Sequence, residues 1–340
     1  MGHRGSSNAS LVIGIDKPKG MSSHDVVDRV REIYSERRVG HTGTLDPAAT
    51  GVLVLCVGPA TRLDQFLTGH QKSYDFDVVF GTATDTDDAE GTVIKQAPIP
   101  SNVRSEDYAI SLLEKLIGDH QQLPPIYSAI TVHGQRAYKA ARKGSIVDLK
   151  PRAITIYRAS LRGIDCVSSA TVIWHVSATV SKGTYIRSLA RDIGHACLTC
   201  AHTDALRRTR SGRLSIDECL TLDELASDPY GSLLDPVRLL DVRCMFLHDE
   251  HADDVKAGRP FSSDQIDTYV YRDQSQRMKL GCGCSSGVYK DEDPLTDGEI
   301  ISMVLGNRLL ALYRFDAAEN MLRSACGFAI GVERGYDISR

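Results

Sequence analysis

The sequence has no surplus of positive charge: 40 Lys and Arg stand against 44 Asp and Glu, a formal net charge of −4. That balance excludes global attraction to nucleic acid, so contact with a polyanion has to come from local clustering. Long apolar runs are missing too. The longest, LVIGI and GVLVLCV, fall far short of the roughly 20 residues a spanning helix needs. No signal-peptide pattern is visible, and MGHRGS meets a myristoylation pattern only briefly, so a cytoplasmic protein with no membrane partner is expected. The nine cysteines are odd in number and lack framework spacing, which reads as reduced thiols. CLTC (Cys197, Cys200), although His195 and His202 are near, and GCGC (Cys282, Cys284) lack the spacing of a zinc finger, so no metal is expected. The glycine-rich stretch 40–51 has no Walker lysine, no G-x-G-x-x-G follows a strand, and DTDDAEG does not keep the register of a calcium loop. Phosphate-loop, dinucleotide and calcium chemistry are set aside on those grounds.

What is present is unevenly distributed. Between His133 and Arg162 there are eight Lys and Arg against one acid, and between Ser181 and Arg213 seven against two, whereas acids gather in DTDDAEG, DEHADD and DEDPLTDGE. Basic surfaces therefore belong to the middle third. At 340 residues the chain has room for two or three folding units. LVIGI reads as a strand, DKPKG as a turn, and SSHDVVDRVREIY as a helix capped by Ser22 or Ser23. YDFDVVF alternates with the period of a half-buried strand, placing Tyr74, Phe76, Val78 and Phe80 on one face. RSEDYAISLLEKLIG is an amphipathic helix, and AITIYRASL and ATVIWHVSATV resume as strands before GTYIRSLARDIGHAC turns into a helix. Residues 121–150, with a Pro-Pro hinge, a glycine turn and a basic segment, read as an inserted arm or as a plain surface hairpin. Strands and helices interleave without a βαβ rhythm, which argues for an α+β fold: a mixed, largely antiparallel central sheet with flanking helices. Beyond about residue 235 an acidic, loop-rich texture surrounds the hairpin ISMVLGNRLLALYRF, so a small C-terminal β domain is expected over 236–340 after a domain over 9–235.

One carboxylate is displayed where chemistry is often carried. In GHTGTLDPAATG, residues 40–51, Asp46 sits among glycines and small residues with Pro47 behind it, directly before the apolar run GVLVLCV. It can act as a nucleophile, as a general base, or only as the acceptor of an Asx turn.

Ordered along the chain from about Val12 to Ile216 are DKPKGMSSHDVV, RRVGHTGTLDPAATGVLVLCVGPATRL, KSYDFDVVFGTATDTDDAEG, PPIYSAITVHGQRAYKAARKG, GTYIRSLARDIG and LRRTRSG. Together they resemble the TruB family of tRNA pseudouridine synthases, in the bacterial stand-alone form. The resemblance implies an inserted RNA-gripping arm, no cofactor, and an isomerase that detaches uracil from its ribose, turns it and rejoins it through carbon. The expected substrate is the T-arm uridine at position 55 of tRNA, not DNA, and the expected state is a monomer. It makes Asp46 the catalytic acid, attacking either the uracil ring or the ribose anomeric carbon. Tyr74 falls at the active-site tyrosine, Arg187 at the arginine paired with the acid with Tyr185 beside it, and His41 at a histidine that supports the RNA. Asp85 matches an acid near the site. Lys19 and the arm residues Arg136, Lys139, Arg142 and Lys143 are expected to contact RNA. Thr131 and Gln135 stand where the family often has lysine. The region after 235 is expected to be a PUA-like or degenerate RNA-binding module. Other readings are an RNA-binding or tRNA-folding protein without turnover, and the catalytic subunit of a guide-RNA particle, against which the arm counts.

An arginine beside Asp46 has a physical rationale. Aspartate titrates near ~3.9 in water. Full burial can raise that by about 3 to 5 units, and an adjacent guanidinium lowers it by about 1 to 3.

Overall fold

The computed structural model describes residues 7–127, 131–132, 135–136, 149–263, 267–271 and 288–335. A nine-stranded sheet organises the first two thirds. Its strands are β1 (Leu11–Lys17), β2 (Val39–His41), β3 (Thr50–Val57), β4 (Lys72–Phe80), β5 (Gly118–Gln122), β6 (Arg152–Ser168), β7 (Thr171–Val180), β8 (Ala201–Ser211) and β9 (Leu214–Ser215). Seven run side by side in the order β1-β3-β8-β4-β7-β6-β5, with β2 joined to β3 and β9 to β8. The pairs are antiparallel apart from β3 and β8, which meet in parallel at Thr50 with Arg207 and at Gly51 with Arg208. This is the mixed, largely antiparallel sheet expected from the sequence. At the parallel contact Gly51 has φ +102°, and a Cβ there would lie 2.1 Å from the Arg208 carbonyl oxygen. Only glycine lets the two strands approach this closely.

Two kinds of strand pattern have two causes. Along β4 and β7 burial alternates residue by residue, so Tyr74, Phe76, Val78 and Phe80 pack with Trp174 and Val176 while Asp75 and Asp77 face outward. Strands β1 and β3 are apolar almost throughout because both their faces are covered. Ile13, Ile15, Leu53 and Leu55 pack under the helix Ser23–Tyr34, whereas Val12, Val52, Val54 and Cys56 pack against the C-terminal part of the chain. The helix Ser23–Tyr34 starts at a capping box in which Ser22 accepts from the Asp25 N–H and Asp25 accepts from the Ser22 N–H. The helices Glu106–Lys115 and Ile186–Ala196 cover the core face of β4, β6 and β7, the first capped by Ser105.

The C-terminal part is a seven-stranded sheet. It comprises β10 (Arg243–Phe246), β11 (Phe261–Ser262), β12 (Thr268–Tyr271), β13 (Val288–Asp291), β14 (Ile300–Leu305), β15 (Arg308–Asp316) and β16 (Met321–Glu333), in the order β11-β16-β15-β14-β10-β12-β13. β14 and β15 form the hairpin read from the sequence. The sheet has an apolar core of its own around Met303, Tyr313 and Phe315. It shares another with the first sheet, where Leu309, Leu312, Cys326 and Val332 meet Val12, Val52 and Cys56. A buried ion pair fastens the join: Arg334 donates from Nε and Nη2 to the two Asp235 carboxylate oxygens at 3.0 and 2.8 Å, and the Tyr271 hydroxyl donates to Asp235 at 2.5 Å.

Replacing Arg334 by Met leaves the Asp235 carboxylate buried without its counter-ion, and such a loss typically costs about 3–5 kcal/mol. Urea unfolding of Arg334→Met is expected to show an unchanged slope and a midpoint lowered by that free energy divided by the slope.

Candidate active site

The Asp46 loop is held from below at every turn. Ser23, next to the capping serine, takes the Leu45 N–H on its hydroxyl oxygen at 2.8 Å and donates to the Leu45 carbonyl at 3.0 Å. The Gly20 N–H donates to the Pro47 carbonyl at 2.8 Å. Lys17, fully buried at the end of β1, spends its ammonium on the carbonyls of Pro18, Met21 and Pro47 at 2.9, 2.6 and 3.3 Å. Burial pushes that lysine down to about 8, although Asp46 nearby opposes the shift. Arg208 donates to the Val52 carbonyl at 2.6 Å and to that of Gly43 at 3.0 Å, closing the other side. The turn after Asp46 is made by backbone, with the Ala49 N–H on the Asp46 carbonyl at 3.1 Å. The Asp46 carboxylate is thus released from the Asx-turn role left open by the sequence.

It faces Arg187 instead. From the first turn of Ile186–Ala196, the guanidinium presents Nε to Asp46 Oδ2 at 2.9 Å and Nη2 to Oδ1 at 3.3 Å, a side-on fork. Its remaining hydrogens go to the Tyr127 and Thr86 carbonyls, both at 2.9 Å, and Nη1 lies 3.5 Å from Asp88 Oδ2. Arg187 is buried, while 40% of the Asp46 side chain stays open to a cleft of about 1110 Å³. Burial is the largest influence on Asp46 and pushes its carboxyl above the usual aspartate value; Arg187 opposes this, and Asp88 reinforces it. The guanidinium therefore offsets only part of the desolvation.

The cleft collects most of the residues singled out beforehand. Tyr74, His41, Tyr185, Asp46 and Arg187 all line it. Tyr74 is buried on the core face of β4. His41 lies on β2, where burial lowers its imidazole below the ordinary value and its Nδ1 accepts from the Gly43 N–H at 3.4 Å. Tyr185 caps the Arg187 helix, and its peptide is held at both ends by the Gln122 side chain at 2.9 and 3.1 Å. Lys19 lies outside this wall, on a smaller cavity of about 250 Å³ that shares Asp46, Asp88 and Arg187.

Asp85 is placed differently from the expectation. Its Oδ1 accepts from the Thr92 N–H at 2.8 Å inside the 85–92 turn, and the acid that reaches the cleft and Arg187 is Asp88. Arg187 and Arg191, one helical turn apart, select which acids of TDTDDAEG face inward: Asp88 for the first, and Asp87, at 2.8 Å, for the second. Of the arm, Arg136 belongs to the short strand Gln135–Arg136 paired with Thr131–Val132, and Lys139, Arg142 and Lys143 lie outside the described residues. Lys17, Ser23, Asp88 and Arg208 were missed as site residues. The one available signal was the pair of lysines in DKPKG, of which only Lys17 falls within the buried strand.

Comparison with known proteins places this geometry. A family model described as TruB family pseudouridylate synthase (N terminal domain) matches residues 31–186, and one described as tRNA pseudouridylate synthase B C-terminal domain matches 187–237. The tRNA pseudouridine synthase B of Thermobifida fusca is 46% identical over 223 residues, 65% of this chain and 75% of that protein. That of Mycobacterium leprae is 40% identical over 301 residues, 85% of this chain and 90% of its own. The chain belongs to the TruB family. It is an isomerase of the pseudouridine synthase class. Among solved structures, a protein of an H/ACA ribonucleoprotein bound to a substrate RNA containing 2′-deoxyuridine superposes with a TM-score of 0.61 over 97% of this chain and 85% of that one. A chain of a Cbf5-Nop10-Gar1 complex gives 0.60 over 96% and 84%. At 22% and 24% identity these two share the pseudouridine synthase fold.

Carboxyl NMR titration of Asp46 is expected to give a midpoint above the ordinary ~3.9. Arg187→Gln removes the opposing cation and moves it further up, whereas Asp88→Asn removes a like charge and moves it down.

Proposed function

We propose that the enzyme isomerises the T-arm uridine of tRNA, at position 55 in tRNA numbering, with Asp46 as the attacking group. The tRNA substrate follows the family: the relatives from T. fusca and M. leprae are named tRNA pseudouridine synthase B. The observation that carries the site is the Asp46–Arg187 fork, open on one side to a cleft whose wall includes Tyr74. A uridine stacked in a folded arm cannot be reached until the nucleotide is extruded, at a cost of a few kcal/mol. His41, on the cleft wall, is suited to fill the space the base leaves, and Tyr185 to flank the fork.

In the reaction the bond from N1 to the ribose carbon breaks, a bond from C5 to that carbon forms, a proton leaves C5, and N1 takes one up. Composition and oxidation state are unchanged, so the chemistry calls for positioning and proton movement and not for an electron carrier. The fork fixes both Asp46 oxygens against rotation and favours the carboxylate over the acid, which is the reactive form. Attack on the uracil ring and attack on the ribose carbon both suit this placement. Tyr74, on the cleft wall, is the group assigned the proton at C5. The arm containing Arg136, Lys139, Arg142 and Lys143 would supply phosphate contacts that offset extrusion.

Asp46→Ala is expected to lower kcat/KM on an unmodified tRNA transcript by about 10³-fold or more, with Kd for the same RNA changed little. Carbodiimide-stop mapping of the wild-type product is expected to place pseudouridine at the T-loop uridine. Modification elsewhere would keep the chemistry and change the target, and full turnover by Asp46→Ala would remove Asp46 from it. Because Asp46 must be ionised, kcat/KM is expected to fall as pH drops through a carboxyl value above the ordinary ~3.9.

A further inference from the structure

One wall of the cleft carries cations that the Asp46–Arg187 chemistry does not use. Lys72 opens β4, two residues before Tyr74 on the same face, so the two are about 7 Å apart along the strand. It is buried to 7% exposure. Its ammonium donates to the carbonyls of His70 and Thr68 at 2.8 and 3.2 Å, and the third hydrogen has no acceptor among the described residues. Arg208, 2% exposed, uses Nε and Nη2 on the Val52 and Gly43 carbonyls and leaves Nη1 without a partner among the described residues. The two converge over Gly43: a Cβ there would stand 3.4 Å from Lys72 Cε and 3.6 Å from Arg208 Nη1. Lys182 adds an exposed ammonium on the same cleft.

No carboxylate pairs with any of the three among the described residues, in a protein whose acids outnumber its bases. The ion pairs of β8 show the contrast, since the neighbouring Arg207 is held by Asp16 at 2.7 Å. Burial, then Arg208, then Lys182 press the Lys72 ammonium down to about 8, and no acid resists them. Buried cations crowded in this way are costly unless an anion arrives from outside. We propose that Lys72, Arg208 and Lys182 form a cradle for one backbone phosphate of the RNA, beside the nucleotide extruded toward Tyr74. The cradle rests on the reading that RNA occupies this cleft. Gly43 keeps the cradle open, because a side chain there would stand between the two buried cations.

The test compares RNA binding by wild type, Lys72→Met and Lys182→Ala. One RNA is a T-arm stem-loop in which the phosphodiesters around the target uridine are replaced in turn by uncharged methylphosphonates; the other is a short oligouridylate. Lys72→Met is expected to weaken binding of both by about tenfold and to lower the slope of log affinity against log salt by about 0.7 to 0.9. A single linkage in the stem-loop should carry the effect: neutralising it weakens binding to wild type and costs nothing further in Lys72→Met. Lys182→Ala, at an exposed position, should give a smaller loss at the same linkage, which keeps the idea open to refutation even if Lys72→Met fails to fold. Wild-type affinity and salt slope in both variants, with conversion of the stem-loop intact, would overturn the cradle alone. Loss of slope on oligouridylate with no conversion of the stem-loop would keep the cradle and overturn the T-arm substrate.

Discussion

The structure depends on one pairing, the side-on fork between Asp46 and Arg187. A carboxylate at the mouth of a buried loop loses hydration and drifts toward its neutral form; a guanidinium with fixed geometry pulls it back and fixes both oxygens. The surrounding contacts serve that pairing from two directions. From the Asp46 side, Lys17, Ser23 and Arg208 hold backbone carbonyls and leave the carboxylate free. From the Arg187 side, the carbonyls of Thr86 and Tyr127 and the Asp88 carboxylate orient the guanidinium. Asp88 has a double effect, since it steadies the arginine and also repels Asp46. The carboxyl of Asp46 therefore ends above its ordinary value in spite of its partner.

Much of the fold was legible because burial imposes periodicity. The alternation in YDFDVVF identified both the strand and its inner face, and the continuous apolar run GVLVLCV became β3, covered on both faces. The serine pair at 22 and 23 marked the start of the first helix, which Ser22 caps. What escaped the reading was long-range. The three aspartates of TDTDDAEG are indistinguishable in sequence, because the choice among them is made by Arg187 and Arg191 about a hundred residues later in the chain. Likewise Lys17 and Lys19 look alike in DKPKG, and only the register of β1 buries one and exposes the other. Asp46, Tyr74 and Arg187 could be named because they sit in ordered, recognisable segments; the residues that hold them donate to backbone carbonyls, and a carbonyl leaves no trace in a sequence.

Charge is distributed with a similar logic. The overall excess of acid sits on turns and on the C-terminal sheet, where Arg243 meets Asp291 and Glu299, and Arg323 meets Asp316. In the cleft the balance reverses, and Lys72, Arg208 and Lys182 face open space without acidic partners among the described residues. A protein with a negative total can in this way present a positive surface to a polyanion at one place and repel it elsewhere, which favours docking in a single orientation.

The double covering of β1 and β3 has a bearing on modularity. The two matched family segments end at residue 237, yet the outer faces of Val12, Val52, Val54 and Cys56 are kept dry by Leu309, Leu312 and Val332, more than seventy residues further on. The stretch the family models describe and the unit that can stand alone in water are therefore different objects here. Cutting the chain at residue 237 would strip a greasy flank from the strand that carries the reactive loop, and the liberated piece would tend to clump.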